Sequence, residues 1–265
     1  MIAEIRNKIS SSGSNLSDRL EDQLTGNVFG ALRYLPSEVG LRRAISNARF
    51  ESVDSAEKWR QSLQQIQGYQ TIYKFWPPNE EGEIDLMLDH PDILIGVEIK
   101  YFSSLSSEDE ESEYEIDMVD SRNQLARYAR MLANYDSGSR PKYLVFLAPL
   151  SILTEVEASM KSRRIIPNGV VLGYLSWQEL LESIQEVDLC QLETGQKIIL
   201  QDIMDLLVKK GFVRFTGFEA DMNHFQITSN SYIFNESRRC LEKLHWPENT
   251  TIKDDNYVYN RSSRA

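Results

Sequence analysis

Between Glu83 and Lys100 the chain alternates in a way that only a two-faced β-hairpin satisfies. Glu83 to Leu88 alternates polar and apolar, Asp89-His90-Pro91-Asp92 has the chemistry of a turn, and Ile93 to Lys100 reads as a second strand. Successive side chains on a strand point to opposite faces. Pairing Leu88 with Ile93 across a four-residue loop gathers Ile84, Leu86, Leu88, Ile93, Ile95, Val97 and Ile99 on one face. All are large and aliphatic, so this face is predicted to be core. The other face gathers Glu83, Asp85, Met87, Leu94, Gly96, Glu98 and Lys100, with Asp85 opposite Gly96 and Glu83 opposite Glu98.

Three carboxylates and an amine on one side of a hairpin are costly. Carboxylates within about 4–6 Å of one another raise each other's pKa unless a cation neutralises them. A hard divalent ion suits oxygen donors of this kind. It would also lower the pKa of a bound water and polarise a phosphoryl oxygen. An adjacent lysine can orient or deprotonate that water, or meet charge developing on phosphorus. The constellation Asp85, Glu98 and Lys100 therefore suits phosphodiester hydrolysis. The competing view is a solvent-facing hairpin with ordinary surface charges. The spaced aspartate, the shared face and Gly96 weigh against it.

The surrounding pattern is α/β. Leu16 to Leu35 reads as a helix capped by Ser17 and stopped by Pro36; further helices are expected at about Val39–Phe50 and Ser55–Ile66. Thr71–Trp76 alternates as a strand. After the hairpin come an acidic stretch, a helix from about Val119 to Tyr135, a buried strand Lys142–Ala148 and a helix after Pro149. A strand Gly169–Leu175 follows, then a helix capped by Ser176. This order predicts a central mixed sheet flanked by helices. From about Leu189 the pattern changes. Gln196–Lys210 reads as a helix with a Gly211 stop, and Phe212–Phe218 and Tyr232–Phe234 as aromatic-rich strands. Residues 1–188 are expected to form one domain and 189–265 a small C-terminal α+β extension.

Composition limits the function classes. The 265 residues are 41% hydrophobic, enough for a core, and the net charge is −11. A surface that acidic does not coat nucleic acid non-specifically. Seven of the negative charges fall between Glu108 and Asp117, and the rest of the chain carries −4. That run is read as a solvated loop. Residues 1–20 lack the apolar core of a signal peptide, and no apolar run approaches the ~20 residues needed to span a bilayer. The two cysteines, Cys190 and Cys240, form no metal-ligand spacing, which fits a reducing cytoplasm.

The residues resemble the PD-(D/E)XK nuclease superfamily, which includes restriction endonucleases and RecB-like nucleases. Its pattern is an acidic residue opening a hairpin, here Asp85, and (D/E)-x-K on the next strand, here Glu98-Ile99-Lys100. The proline that often precedes the aspartate is absent, replaced by Glu83-Ile84. Many RecB-like members carry Q-x-x-x-Y on the following helix, matched by Gln124 and Tyr128, and a glutamate on the first helix, for which Glu21 is the candidate and Asp22 the competitor. The resemblance covers roughly residues 16–185. It implies a restriction-endonuclease-like core, Mg²⁺ or Mn²⁺ held by Glu21, Asp85 and Glu98, catalysis with Lys100, Gln124 and Tyr128, and cleavage of DNA more often than RNA. By the same analogy the setting is anti-phage defence, restriction or repair, with a motor or sensor protein as partner; a homodimer is also open.

DNA contacts are sought among Arg42, Arg43 and Arg49, among Arg122, Arg127 and Arg130, and in the cluster Lys161, Arg163 and Arg164. The alternative function is a catalytically idle module of the same fold, used for DNA binding or assembly. A metal-free hydrolase using paired carboxylates would leave Lys100 without a role. His90, His224 and His245 sit in no nucleophile motif.

Overall fold

The computed structural model describes residues 16–101, 121–136, 138–161 and 163–214, and two short strands near the C-terminus. The chain divides into two compact units, Met1–Phe215 and Thr216–Ala265.

The first unit is built on a six-stranded sheet. Its strands are β1 (Arg49–Phe50), β2 (Ile72–Phe75), β5 (Leu86–His90), β6 (Ile93–Ile99), β7 (Lys142–Ala148) and β8 (Val170–Ser176), in the order β1-β8-β7-β6-β5-β2. The pairs β6–β7 and β7–β8 are parallel; β2–β5, β5–β6 and β1–β8 are antiparallel. A separate ribbon pairs β3 (Pro78–Asn79) with β4 (Gly82–Glu83). The expected mixed sheet flanked by helices is what the chain forms.

Helices cover both faces. One layer contains α1 (Leu16–Leu32), α2 (Leu41–Ala44), α3 (Val53–Gln65), α6 (Trp177–Gln185) and α7 (Thr194–Lys209), whose apolar residues pack on Leu86, Leu88, Ile93, Ile95, Val97 and Ile99. The other contains α4 (Gln124–Tyr135) and α5 (Leu150–Lys161), packed on Met87, Leu94, Leu144 and Phe146. β6 and β7 are buried along their whole length, as expected of strands sandwiched between helices. Local chemistry sets the helix starts. Ser52 caps α3, Asn123 accepts from Leu125 and Ala126 N–H at the start of α4, and Ser176 with Glu179 forms a reciprocal capping box on α6.

Several expectations need correction. The helix predicted over 39–50 is the single turn α2 followed by the edge strand β1. Phe50 leaves the helical path because its ring packs with Trp59 and Tyr143, with centroids 5.2 and 5.7 Å away. It also lies against Gly173, where a Cβ would sit 2.5 Å from the ring. The hairpin loop is two residues, Pro91-Asp92, since buried His90 pairs with Ile93. The register is thus offset by two: Leu88 pairs with Ile95 and Met87 with Gly96. An offset of two preserves both faces, because side chains repeat every two residues. Asp85 continues this register to the level of Glu98.

Ile84 does not lie on the predicted face. The chain bends at Asp85, and Ile84 joins the core beneath α4. Trp76, at a positive φ of 47°, donates its N–H to the Asp85 carbonyl (3.0 Å) across the bend. Gly96 answers to this packing: a Cβ there would sit 2.7 Å from Ile84 Cδ1 and 2.9 Å from Leu132 Cδ1. It is a packing glycine, not a space left beside the carboxylates.

The first unit runs past residue 188. α7 buries Leu200, Ile203 and Leu207 in the same core, and Phe212 stacks on Trp177 at 5.4 Å. Phe212–Arg214 is not a strand. In the second unit β9 (Lys253–Asp254) pairs antiparallel with β10 (Tyr257–Val258). The strand predicted at 232–234, the rest of that at 212–218, Cys240, His224, His245 and the acidic run 108–117 lie outside the described residues. α4 begins at Gln124, not near Val119, where Asn123 caps it.

Candidate metal centre

The sequence-predicted residues meet at the C-terminal end of β6. Hydrogen bonds to neighbouring elements fix that strand end. Lys100 N–H donates to the Leu147 carbonyl (2.8 Å), continuing the parallel pairing, and Trp177 Nε1 donates to the Lys100 carbonyl (2.9 Å). From the bend before β5, Asp85 Oδ2 accepts the Ile99 N–H at 2.7 Å. From α1, Glu21 Oε2 accepts the Tyr101 N–H at 2.9 Å. From α4, Gln124 Nε2 donates to Glu98 Oε1 at 2.7 Å and lies 3.2 Å from the Tyr128 hydroxyl. Tyr128 in turn donates to the Glu83 carbonyl at 2.8 Å. Of the two acids considered on α1, Glu21 is the one that accepts from Tyr101 N–H and lies 3.3 Å from Lys100 Nζ.

Lys100 ties the carboxylates together. Its Nζ lies 2.8 Å from Glu98 Oε1 and 3.3 Å from Glu21 Oε1. These groups are deeply buried: Glu98 is 1% exposed, Lys100 5% and Asp85 9%. Burial pushes the Glu98 carboxyl well above its ordinary range, and Asp85 pushes it further against the opposing pull of Lys100. Burial likewise raises Glu21, with Lys100 opposing. For Lys100, burial alone would favour the neutral amine, yet Glu98, Glu21 and Asp85 outweigh it and hold the ammonium above the usual lysine range. The Tyr128 hydroxyl is pushed up to about 12, by burial first and by Glu98 next, so it remains a donor.

The donor set partly suits a divalent ion. Glu98 Oε2 is buried and has no hydrogen-bond partner among the described residues. A buried carboxylate oxygen left so costs free energy unless something positive meets it. Among the described residues, however, no group of three or more His, Cys, Asp or Glu is placed to hold a metal ion. Both oxygens of Glu21 are engaged by Lys100 and Tyr101. Such an ion would therefore rest on Asp85 and Glu98 with water completing its shell, a mode Mg²⁺ commonly uses.

The basic residues separate into distinct places. Arg130 forks onto Glu81 (2.9 and 2.8 Å) and donates to the Ser121 carbonyl at 3.0 Å, clamping the β3–β4 ribbon to α4. Arg49 pairs with Glu157 and Glu179 at 3.3 Å each. Lys161, Arg163 and Arg164 line a cleft of 690 Å³ with Glu51, Glu157 and Tyr174. Sequence reasoning missed the Trp177 bond to Lys100 and the Arg130–Glu81 clamp. Trp177 is fully buried in the core while its indole N–H makes that bond. Glu81 carried no signal, because its partner lies 49 residues on.

No helix among the described residues is long and apolar enough to cross a membrane. Scans against protein-family models, curated proteins and solved structures each return no match.

Proposed function

We propose that the chain is a Mg²⁺- or Mn²⁺-dependent nuclease with a restriction-endonuclease-like core that hydrolyses phosphodiester bonds, in DNA more readily than RNA. The observation that carries this is the meeting of Asp85, Glu98 and Lys100 at one strand end, with an orphaned carboxylate oxygen on Glu98 and the Gln124–Tyr128 pair against it.

When bound, the ion would supply an acidified water and polarise the phosphoryl oxygen. Asp85 and Glu98 would hold it, with Glu21 closing the site from α1. Lys100, whose ammonium Glu98, Glu21 and Asp85 favour against burial, is suited to orient the water and to stabilise negative charge developing on the phosphoryl group. Gln124 fixes the rotamer of Glu98 through its 2.7 Å bond, and Tyr128 fixes Gln124. A cytoplasmic role in defence, restriction or repair, alongside a motor or sensor protein, rests on fold-level analogy.

The test is incubation with DNA and Mg²⁺. The parent is expected to cut, EDTA to stop it, and Asp85→Ala and Lys100→Ala to cut far less. Variants that cut as well as the parent would end the proposal. One observation favours a second reading, an idle module of the same fold. Lys100 already neutralises Glu21 and Glu98, and no three-ligand cage stands ready among the described residues. In that case neither parent nor variants cut.

A further inference from the structure

Arg122, Arg127 and Arg130 all lie at or near the first turns of α4, yet they have different surroundings. Arg130 is spent on Glu81 and the Ser121 carbonyl. Arg127 makes no ion pair with a carboxylate at salt-bridge distance among the described residues. Its guanidinium rests instead on the ribbon backbone. A Cβ added to Gly82 would lie 2.5 Å from Arg127 Nη2 and 3.4 Å from Tyr128 Cε1. Gly82 has φ +130°, so the ribbon turns there in a conformation that leaves room for the guanidinium. Arg127 thus sits beside the Tyr128 ring, and Tyr128 connects through Gln124 to Glu98. Glu81, an acid of the same ribbon that would repel a polyanion, is paired with the Arg130 fork.

We propose that Arg127 is a substrate-contacting residue that binds a backbone phosphate of the nucleic-acid strand next to the one cut at Glu98 and Lys100. The ribbon β3–β4 is the platform that holds it, and Arg130–Glu81 locks that platform to α4. A partly buried guanidinium that makes no ion pair among the described residues and rests against the Gly82 backbone keeps its fork of donors for a phosphate. The inference rests on the nuclease reading and adds to it the residue that reads the strand's charge outside the metal centre.

The experiment uses the full chain carrying Lys100→Ala, which removes cleavage, and follows binding of labelled duplex and single-stranded DNA from 50 to 200 mM salt. Adding Arg127→Ala is expected to weaken binding and to reduce the salt slope by about 0.9 on duplex, or about 0.7 on a single strand, as for one lost phosphate contact. The affinity ratio between the two proteins on duplex should then shrink about 3.5-fold across that salt range. Arg127→Lys should keep most of the slope. Arg60→Ala changes net charge equally on α3, in the other helical layer, and should leave the slope unchanged. Equal slopes for Arg127→Ala and its Lys100→Ala background, or equal losses from Arg127→Ala and Arg60→Ala, overturn the inference while a cutting parent keeps the nuclease reading intact. A chain that neither binds nor cuts DNA overturns both.

Discussion

Replacing Lys100 with methionine keeps the side-chain length and removes the charge that holds the site together. Its side chain is 7% exposed and that of Glu98 2%, so water screens the pair poorly. Removing one partner of a buried ion pair strands the other and costs about 3–5 kcal/mol. For a unit of this size that is a fall in melting temperature of roughly 6–20 °C, at about 2–4 °C per kcal/mol. The pair as a unit is worth much less, because both charges were desolvated to make it. Adding Glu98→Gln to Lys100→Met should therefore cost less than the two single changes summed, with a coupling of about 1–3 kcal/mol. Urea denaturation of the four proteins in the cycle measures this directly. The pH dependence has a definite sign. Burial, then Asp85, raise the Glu98 carboxyl in the folded state. A raised group contributes stability below its unfolded value and loses it as pH rises through the folded value. Stability should thus decline from about pH 4.5 upward on account of Glu98. The decline should be larger in Lys100→Met and smaller in Glu98→Gln, where Glu21, also raised, still contributes. A Lys100→Met cost below about 1 kcal/mol, or costs that simply add in the double variant, would refute the picture of a mutually dependent buried cluster.

Two further outcomes concern the frame around the site. Gly96→Ala should cost about 1–3 kcal/mol in urea denaturation, because the new methyl would sit 2.7 Å from Ile84 and 2.9 Å from Leu132; an unchanged midpoint would show that α4 can move aside. At the far end of the hairpin, Asp89 accepts from Lys74 (2.8 Å), Tyr135 (3.0 Å) and Arg140 (2.7 Å). Burial opposes its ionisation, but these donors outweigh burial and hold its carboxyl below the ordinary range. That contribution is present above the unfolded value and is lost as pH falls through the folded one. Asp89→Asn should therefore cost about 1 kcal/mol at pH 7, and the gap to the parent should close in the acid limb below about pH 4.

The parts of the fold that could be read from sequence follow from short-range physics. The two faces of the hairpin were legible because the side-chain period of a strand is two, and they survived a register offset of two for the same reason. The caps at Ser176 and the run Lys142–Ala148 were legible because capping and burial leave local signatures. Gln124 and Tyr128 share a helix face by spacing alone, and the structure brings Gln124 onto Glu98 and Tyr128 onto Gln124. What was missed depends on distant partners. Ile84 changes sides because the chain bends at Asp85, whose carbonyl is held by the N–H of Trp76 on another segment. Arg49 and Phe50 became a strand because an aromatic pocket from α3 and β7 receives Phe50. α7 joined the first unit because its apolar stripe found a place on α1 and α6, which its own residues do not specify.

The central claim is that Asp85 and Glu98 share a divalent cation, and calorimetric titration with Mn²⁺ tests it most directly. The parent should bind one ion, and both Asp85→Asn and Glu98→Gln should lose that heat while melting cooperatively as folded proteins. An unchanged heat in both variants, or none in the parent, would contradict the claim.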